Sequence, residues 1–187
     1  MRRKIYTREL ILQAAYEVME RDGFSGFTAR SVADQLGVST QPIYLEFKNM
    51  QDLKKSLIEK VYQDLEEQVF SVEHTDDKLV DMCLNYIDFA KKNPSIFMAL
   101  FLDERGGGKF MYDISFDHFK RTAKSTKKYE HLSDRNLKAL HIGVWVTITG
   151  MTTLMSAHIM QTSRQEVIET IQQTIDSILT SHSELAN

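Results

Sequence analysis

Residues 28–47 read Thr28-Ala29-Arg30-Ser31-Val32-Ala33-Asp34-Gln35-Leu36-Gly37-Val38-Ser39-Thr40-Gln41-Pro42-Ile43-Tyr44-Leu45-Glu46-Phe47. Val32, Ala33 and Leu36 share one side of a short helix that Thr28 can cap and Gly37 can stop. Ser39 is placed to cap a second short helix running to about Phe47, with Ile43, Tyr44 and Phe47 as its anchoring face. Gly37 supplies the left-handed position that the turn between them needs. In a helix-turn-helix of this pattern the first helix and Val38 brace the second, whose amino-terminal residues enter a DNA major groove. Helical hairpins with no DNA role share the pattern, so this stretch alone leaves both readings open.

Outward from it the periodicity stays helical. Leu10, Ile11, Ala14, Ala15, Val18 and Met19 repeat at three and four residues before a stop at Gly23. Leu53, Leu57, Val61 and Leu65 mark a longer helix from about Asn49. Thr75 or Asp76 is expected to cap the next, which ends at Asn93-Pro94. A short aromatic stretch over 95–102 leads to a loop at Asp103–Gly108, a helix over 110–124 and a linker over 127–131. Ser133 caps a long helix to about Met160, and Ser163 with Glu166 has capping-box spacing at the start of the last. The fold class is therefore all-α: an amino-terminal helix-turn-helix domain over 1–48 and a larger bundle over 49–187, with 49–70 as connecting helix.

The 187 residues suffice for a buried core without staples, and 42% hydrophobic with 26% charged residues excludes a disordered chain. One cysteine, Cys83, on an apolar stripe, excludes an intramolecular disulfide framework. No signal-peptide core is present, and the apolar run near 139–160 is broken by His141, His158 and several hydroxyls, so a cytoplasmic, non-membrane protein is expected. The net charge of −3 is unevenly spread. Residues 1–55 hold nine Lys/Arg against seven Asp/Glu, the remainder fourteen against nineteen, and the first eight hold Arg2, Arg3, Lys4 and Arg8 with no acid. A basic arm on a mildly acidic protein suits an anionic partner at one end, whether it enters a minor groove or stays disordered.

Taken together, Ile11 to Ala15, Gly23, Phe27 to Ala33, Leu36 to Ser39, Ile43-Tyr44, Phe47-Lys48 and Asp52-Leu53 resemble the amino-terminal domain of the TetR family of bacterial transcriptional regulators. The resemblance covers about residues 7–55. It implies a homodimeric repressor of a palindromic double-stranded DNA operator, released by a small-molecule effector held in the carboxy-terminal domain. Two positions depart from the family pattern: Glu46 stands where His or Tyr is usual, and Met50 where Lys is usual.

The residues of the second short helix suggest how DNA is read. Gln41 can pair bidentately with adenine, and Thr40 can bond a base edge or offer its methyl to thymine. Pro42, expected at the third helical position, is either an apolar contact or only a rigid first turn. Tyr44 and Lys48 are phosphate candidates, with Thr28, Arg30 and Ser39 nearby; a half-buried Tyr44 and a solvated Lys48 fit the same sequence.

In the remainder, Phe97, Phe101, Phe116, Phe119, His141, Trp145, Met151 and Met155 are candidates for an apolar effector pocket, or else fill core. Acidic Asp103, Glu104, Asp113 and Asp117 would suit a cationic effector or simply face water. The last two helices are long and broadly apolar, and Ile168, Ile171, Ile175 and Ile178 are expected to form a dimer seam, with Gly143 and Gly150 permitting close approach.

An enzyme is not expected. None of the six histidines lies in a His-Glu-x-x-His pattern, neither Asp117-His118 nor Asp103-Glu104 is a chelate, and Gly106–Gly108 lacks the Lys-Ser or Lys-Thr of a phosphate loop. No metal or cofactor is anticipated. The alternatives are a helical protein-interaction module and a ligand-binding helical protein with catalytic activity.

Overall fold

The computed structural model describes residues 6–184, with side chains described to Ser181. All described regular structure is helical: α1 Arg8–Asp22, α2 Ala29–Leu36, α3 Gln41–Glu46, α4 Met50–Gln68, α5 Lys78–Lys92, α6 Pro94–Phe97, α7 Lys109–Lys124, α8 Asp134–Ser156 and α9 Arg164–Glu184, with a π-helical turn at Met98–Leu102 after α6. Two compact units result. One contains the described residues to Asp64 together with Asn93–Tyr112, the other Leu65–Lys92 and the described residues from Asp113 onward.

In the first unit, α1 turns Ile11, Ala14, Ala15, Val18 and Met19 inward, as its periodicity predicts, and Gly23 ends it at φ +63°. Thr7 accepts a hydrogen bond from the Leu10 amide at its start. Val32 and Ala33 of α2, Ile43 and Phe47 around α3, and Leu53, Leu57 and Ile58 of α4 are also buried. Each fully buried Ile, Leu or Phe contributes about 1.5–3 kcal/mol relative to exposure. Asn49 caps α4 by accepting from the Asp52 amide at 2.9 Å, while the Asp52 carboxylate accepts from the Lys48 amide at 3.0 Å.

The second unit is built on α5, α8 and α9, which pack against one another. The cap of α5 is Asp77, whose Oδ1 accepts from the Leu79 amide, rather than the expected Thr75 or Asp76. Thr75 is occupied elsewhere: its amide and hydroxyl both donate to Asp81 Oδ1, at 2.7 and 2.8 Å. Tyr129, expected in a linker, is wholly buried and donates to Asp77 Oδ2 at 2.5 Å. Ser133 and the Ser163/Glu166 box cap α8 and α9 as their spacing predicts. However, α8 stops at Ser156, about four residues early. His158 there adopts φ +56°, and the Ile159 amide reaches back to the Leu154 carbonyl. Cys83 is buried among apolar neighbours, and burial pushes its thiol pKa up, so it is a small hydrophobe without thiolate chemistry.

Ile171 and Ile175 on α9 are 1% and 0% exposed within the single chain. They fill the unit's own core because α8 and α9 approach closely at Gly143, where an added Cβ would lie 2.3 Å from Ile178 Cδ1. By length and composition α8 could cross a membrane. Its residues Leu137, Leu140, Val144, Ile148 and Met151 are buried in the second unit.

His141 sits in that core with ring centroids 5.2 Å from Phe119, 5.4 Å from Phe116 and 5.8 Å from Trp145. Its Nε2 meets Ser115 Oγ at 3.2 Å. Burial lowers its pKa to about 4, because the charged ring would lose its hydration there. The unfolded chain protonates this histidine near pH 6.5, whereas the folded chain resists until about pH 4. The stabilisation is thus complete above pH 6.5 and is lost as pH falls, by about 3 kcal/mol in total. Urea unfolding of wild type and His141→Phe between pH 7 and 4.5 should show a steeper loss in wild type; parallel curves would contradict this role.

Candidate nucleic-acid interface

The exposed face that carries recognition chemistry lies in the first unit, over α2, the following turn and α3. Thr28 and Ser31 form a reciprocal cap at the start of α2: Thr28 Oγ1 accepts from the Ser31 amide at 3.0 Å, and Ser31 Oγ accepts from the Thr28 amide at 2.9 Å. Gly37 closes α2 at φ +68°, ψ +37°, and the Val38 amide bonds the Ala33 carbonyl at 3.0 Å. A side chain at Gly37 would meet no atom within 4 Å, so the glycine serves the left-handed backbone alone. Arg21 Nη1 donates to Gln35 Oε1 at 2.9 Å and Gln35 Nε2 to Glu17 at 2.6 Å, bracing α2 against α1.

The start of α3 departs from the expected one. Thr40, not Ser39, occupies the capping position; its φ and ψ of −72° and −11° are helical, and its side chain makes no capping bond. Pro42 therefore lies within the first two helical positions and removes the amide such a cap would serve. Ser39 is exposed beside the turn. Ile43 and Phe47 point inward and are at most 1% exposed. Gln41 and Lys48 are exposed, Thr40 and Pro42 are half-buried, and Tyr44 is 52% exposed. Thr28 and Arg30 are exposed at the head of α2, with Arg30 only 3.9 Å from Asp34 in a solvated pair. Seven of the eight sequence-selected residues thus sit on the cap and body of α2, the turn or α3, and Lys48 follows in the link to α4.

Two residues escaped the sequence reading. Leu45, a large apolar side chain on α3, is 73% exposed. Arg8, grouped by sequence with a basic arm, is exposed but tied to the folded chain. Its Nη1 donates to the Glu46 carbonyl at 3.2 Å, its Nη2 to Ser56 Oγ at 2.6 Å, and its guanidinium stacks 4.2 Å over the Phe47 ring. Nothing in sequence spacing signals a partner 38 or 48 residues away. Arg2, Arg3 and Lys4 lie outside the described residues.

The effector candidates divide. Phe116, Phe119, His141 and Trp145 come together in the second unit as the packed cluster around His141, with Met151 buried and Met155 half-buried on the same helix α8. Phe97 and Phe101 of the first unit pair with centroids 5.5 Å apart. His158 is exposed beyond the end of α8 and does not join His141 and Trp145. Of the dimer candidates, Ile168 and Ile178 are half-buried, beside the buried Ile171 and Ile175. Among the described residues no three His, Cys, Asp or Glu side chains are placed to hold a metal ion.

Residues 11–57 match the family model of bacterial regulatory proteins of the tetR family. A comparison with curated proteins gave no match. Among solved structures, a TetR family protein from Vibrio parahaemolyticus is 18% identical, with a TM-score of 0.66 over 90% of this chain and 96% of that one. SmeT, the repressor of the Stenotrophomonas maltophilia multidrug efflux pump SmeDEF, is 17% identical, with a TM-score of 0.55 over 94% and 89%. A TetR variant from Acinetobacter baumannii AYE in complex with minocycline is 16% identical, with a TM-score of 0.53 over 97% and 98%. These likenesses show a shared fold. The helix-turn-helix of residues 28–47 lies inside the stretch that matches this family model, so the amino-terminal part of the chain is similar to the DNA-binding domain of the tetR family.

Proposed function

We propose that the protein is a ligand-responsive homodimeric repressor of a palindromic operator, working in the cytoplasm without membrane, cofactor or catalytic step. Residues 1–48 read DNA and 49–187 carry effector binding and dimerisation, with 49–70 connecting them. The observation that carries this reading is the division of α3 into a buried face, Ile43 and Phe47, and an exposed face bearing Gln41 and Tyr44. Gln41 offers the donor and acceptor pair that matches adenine, Thr40 reaches a neighbouring base edge, and Leu45 packs on a thymine methyl. Tyr44, Lys48, Thr28, Arg30 and Ser39 bond phosphates and set the register, while Pro42 stiffens the first turn. Glu46 is exposed on the same helix and repels phosphate, which favours release over indiscriminate binding.

One reading head per subunit needs two-fold symmetry to place two heads about 34 Å apart on the duplex. The surface best suited to join subunits is the outer face of α8. Ile142, Val146 and Leu154 are exposed there, Val146 by 67%, and an added Cβ at Gly150 would meet open space. An apolar stripe of this kind on a helix already buried on its other side is a sign of association. Ile168 and Ile178 can contribute at its margin. The effector is assigned to the second unit. A minocycline complex of one relative and the drug-pump repression of another support ligand control without specifying this ligand.

Gln41→Ala should cost about 1–3 kcal/mol on a cognate site and relax preference at one base pair, whereas Lys48→Ala should weaken all duplexes alike and lower the salt slope by about one. Anisotropy titrations at several salt concentrations separate the two; an equal loss for Gln41→Ala on operator and random DNA would reject base readout. Val146→Glu should yield a folded monomer by sedimentation, because its side chain faces solvent in the single chain, while Ile175→Glu should unfold the protein. A Val146→Glu protein that remains dimeric would remove this face from the interface.

A further inference from the structure

A cavity of about 390 Å³ in the first unit is lined by Lys54, Lys55, Gly106, Gly107 and Phe110, but both lysines are turned to ring faces, of Phe24 and Phe110, and no buried group there lacks a partner. The second unit offers more. A cavity of about 320 Å³ opens among the end of α4, the α4–α5 connection, the start of α5 and the later turns of α7. That volume is at the small end of ligand-binding pockets. Phe70 and Val72 give it an apolar wall, and Ser71, Thr122 and Ser125 give it hydroxyls.

Its charge is acidic. Glu66, Glu73 and Asp81 line it against one cation, Lys78. Arg121 is committed to Glu66, with Nη2 2.5 Å from Oε1. His118 also lines the cavity, and burial lowers its pKa, which keeps the ring neutral near pH 7.

The decisive group is Asp81. It is 3% exposed, and its Oδ1 is fully used by the amide and hydroxyl of Thr75. Oδ2, equally buried, accepts no hydrogen bond among the described residues. A buried carboxylate oxygen left so carries the desolvation cost of an ion without compensation, and a donor bearing positive charge is its natural complement. A metal ion does not fit, because no three metal-ligating side chains converge among the described residues. A fully apolar ligand would leave Oδ2 unsatisfied, and an anion would meet three carboxylates.

We propose that this cavity binds a small organic ammonium ion, a primary amine or diamine with a short apolar body, its NH₃⁺ group donating to Asp81 Oδ2 and its chain lying on Phe70 and Val72. Glu73, exposed at the rim, attracts the cation or holds the second ammonium of a diamine. The site deepens the ligand-responsive reading above and rests on it for its regulatory consequence; the binding itself stands independently.

The test titrates the full chain with 1,5-diaminopentane and benzylamine, using 1,5-pentanediol and benzyl alcohol as neutral counterparts, and follows backbone amide shifts. Saturable shifts at Thr75, Asp81 and Ser125 are expected with an amine below about 1 mM and not with the alcohols. Asp81→Asn keeps the Oδ1 acceptor for Thr75 and should weaken binding at least about tenfold. Glu73→Gln, on an exposed loop, should weaken it by a smaller factor and keeps the test valid should Asp81→Asn fail to fold. No saturable shift at these amides with either amine up to about 10 mM, equal binding of amine and alcohol, or undiminished affinity in a folded Asp81→Asn or in Glu73→Gln would overturn the site. A parallel arm measures release of labelled operator DNA. Binding without release supports the site and overturns its role as effector site, whereas release without shifts at these amides overturns the site.

Discussion

A six-residue helix has no stability of its own, since helix nucleation costs more than so few hydrogen bonds return. Helix α3 therefore exists only because its neighbours hold it. Ile43 and Phe47 insert into the core of the first unit, and Arg8 clamps the far end through the Glu46 carbonyl, the Phe47 ring and Ser56. Gly37 adds the left-handed turn that sets the direction of α3 against α2. With one face committed so completely, the other is presented to solvent without further device. The exposure of Gln41, Tyr44 and Leu45 is a consequence of how firmly Ile43 and Phe47 are buried.

The parts of this head that were legible in the sequence were those with local causes. Thr28, Gly37 and the spacing of Val32, Ala33, Ile43 and Phe47 are nearest-turn effects, and each holds in the structure. The cap of α3 was misplaced from Ser39 to Thr40 because Pro42 removes an amide that a conventional cap would bond, a local rule that competes with the serine preference. Arg8 was illegible because its partners are brought to it only by the tertiary fold. The same contrast recurs in the second unit. The caps Ser133 and Ser163 could be read directly, whereas the α5 cap passed to Asp77 once Asp81 had claimed Thr75.

The long helix α8 shows why an apolar stripe does not announce its destination. It is apolar over much of its circumference: Leu137, Leu140, Val144 and Ile148 face the core, and Ile142 and Val146 face away. Sequence periodicity identified the first set and assigned association to the last two helices together, with the isoleucines of α9 as seam residues. Gly143 lets α9 seat Ile171 and Ile175 inside the unit, and Ile142 and Val146 remain exposed on α8. The polar groups of the same unit follow a separate logic. Asn85 ties the α4–α5 connection through the Val72 carbonyl and His74, and His141 is kept neutral among aromatic rings. Asp81 keeps one oxygen without a hydrogen-bond partner among the described residues, a cost that ordinary core packing does not require.

The central claim is that α3 reads base sequence and does so from two symmetric copies. Affinity selection of duplexes from a random pool by the full-length protein tests it without any substitution that could disturb folding. The account predicts enrichment of an inverted repeat whose half-site centres are about one helical turn, or a whole number of turns, apart. Recovery of duplexes with no shared sequence, bound only through salt-sensitive phosphate contacts, would contradict it.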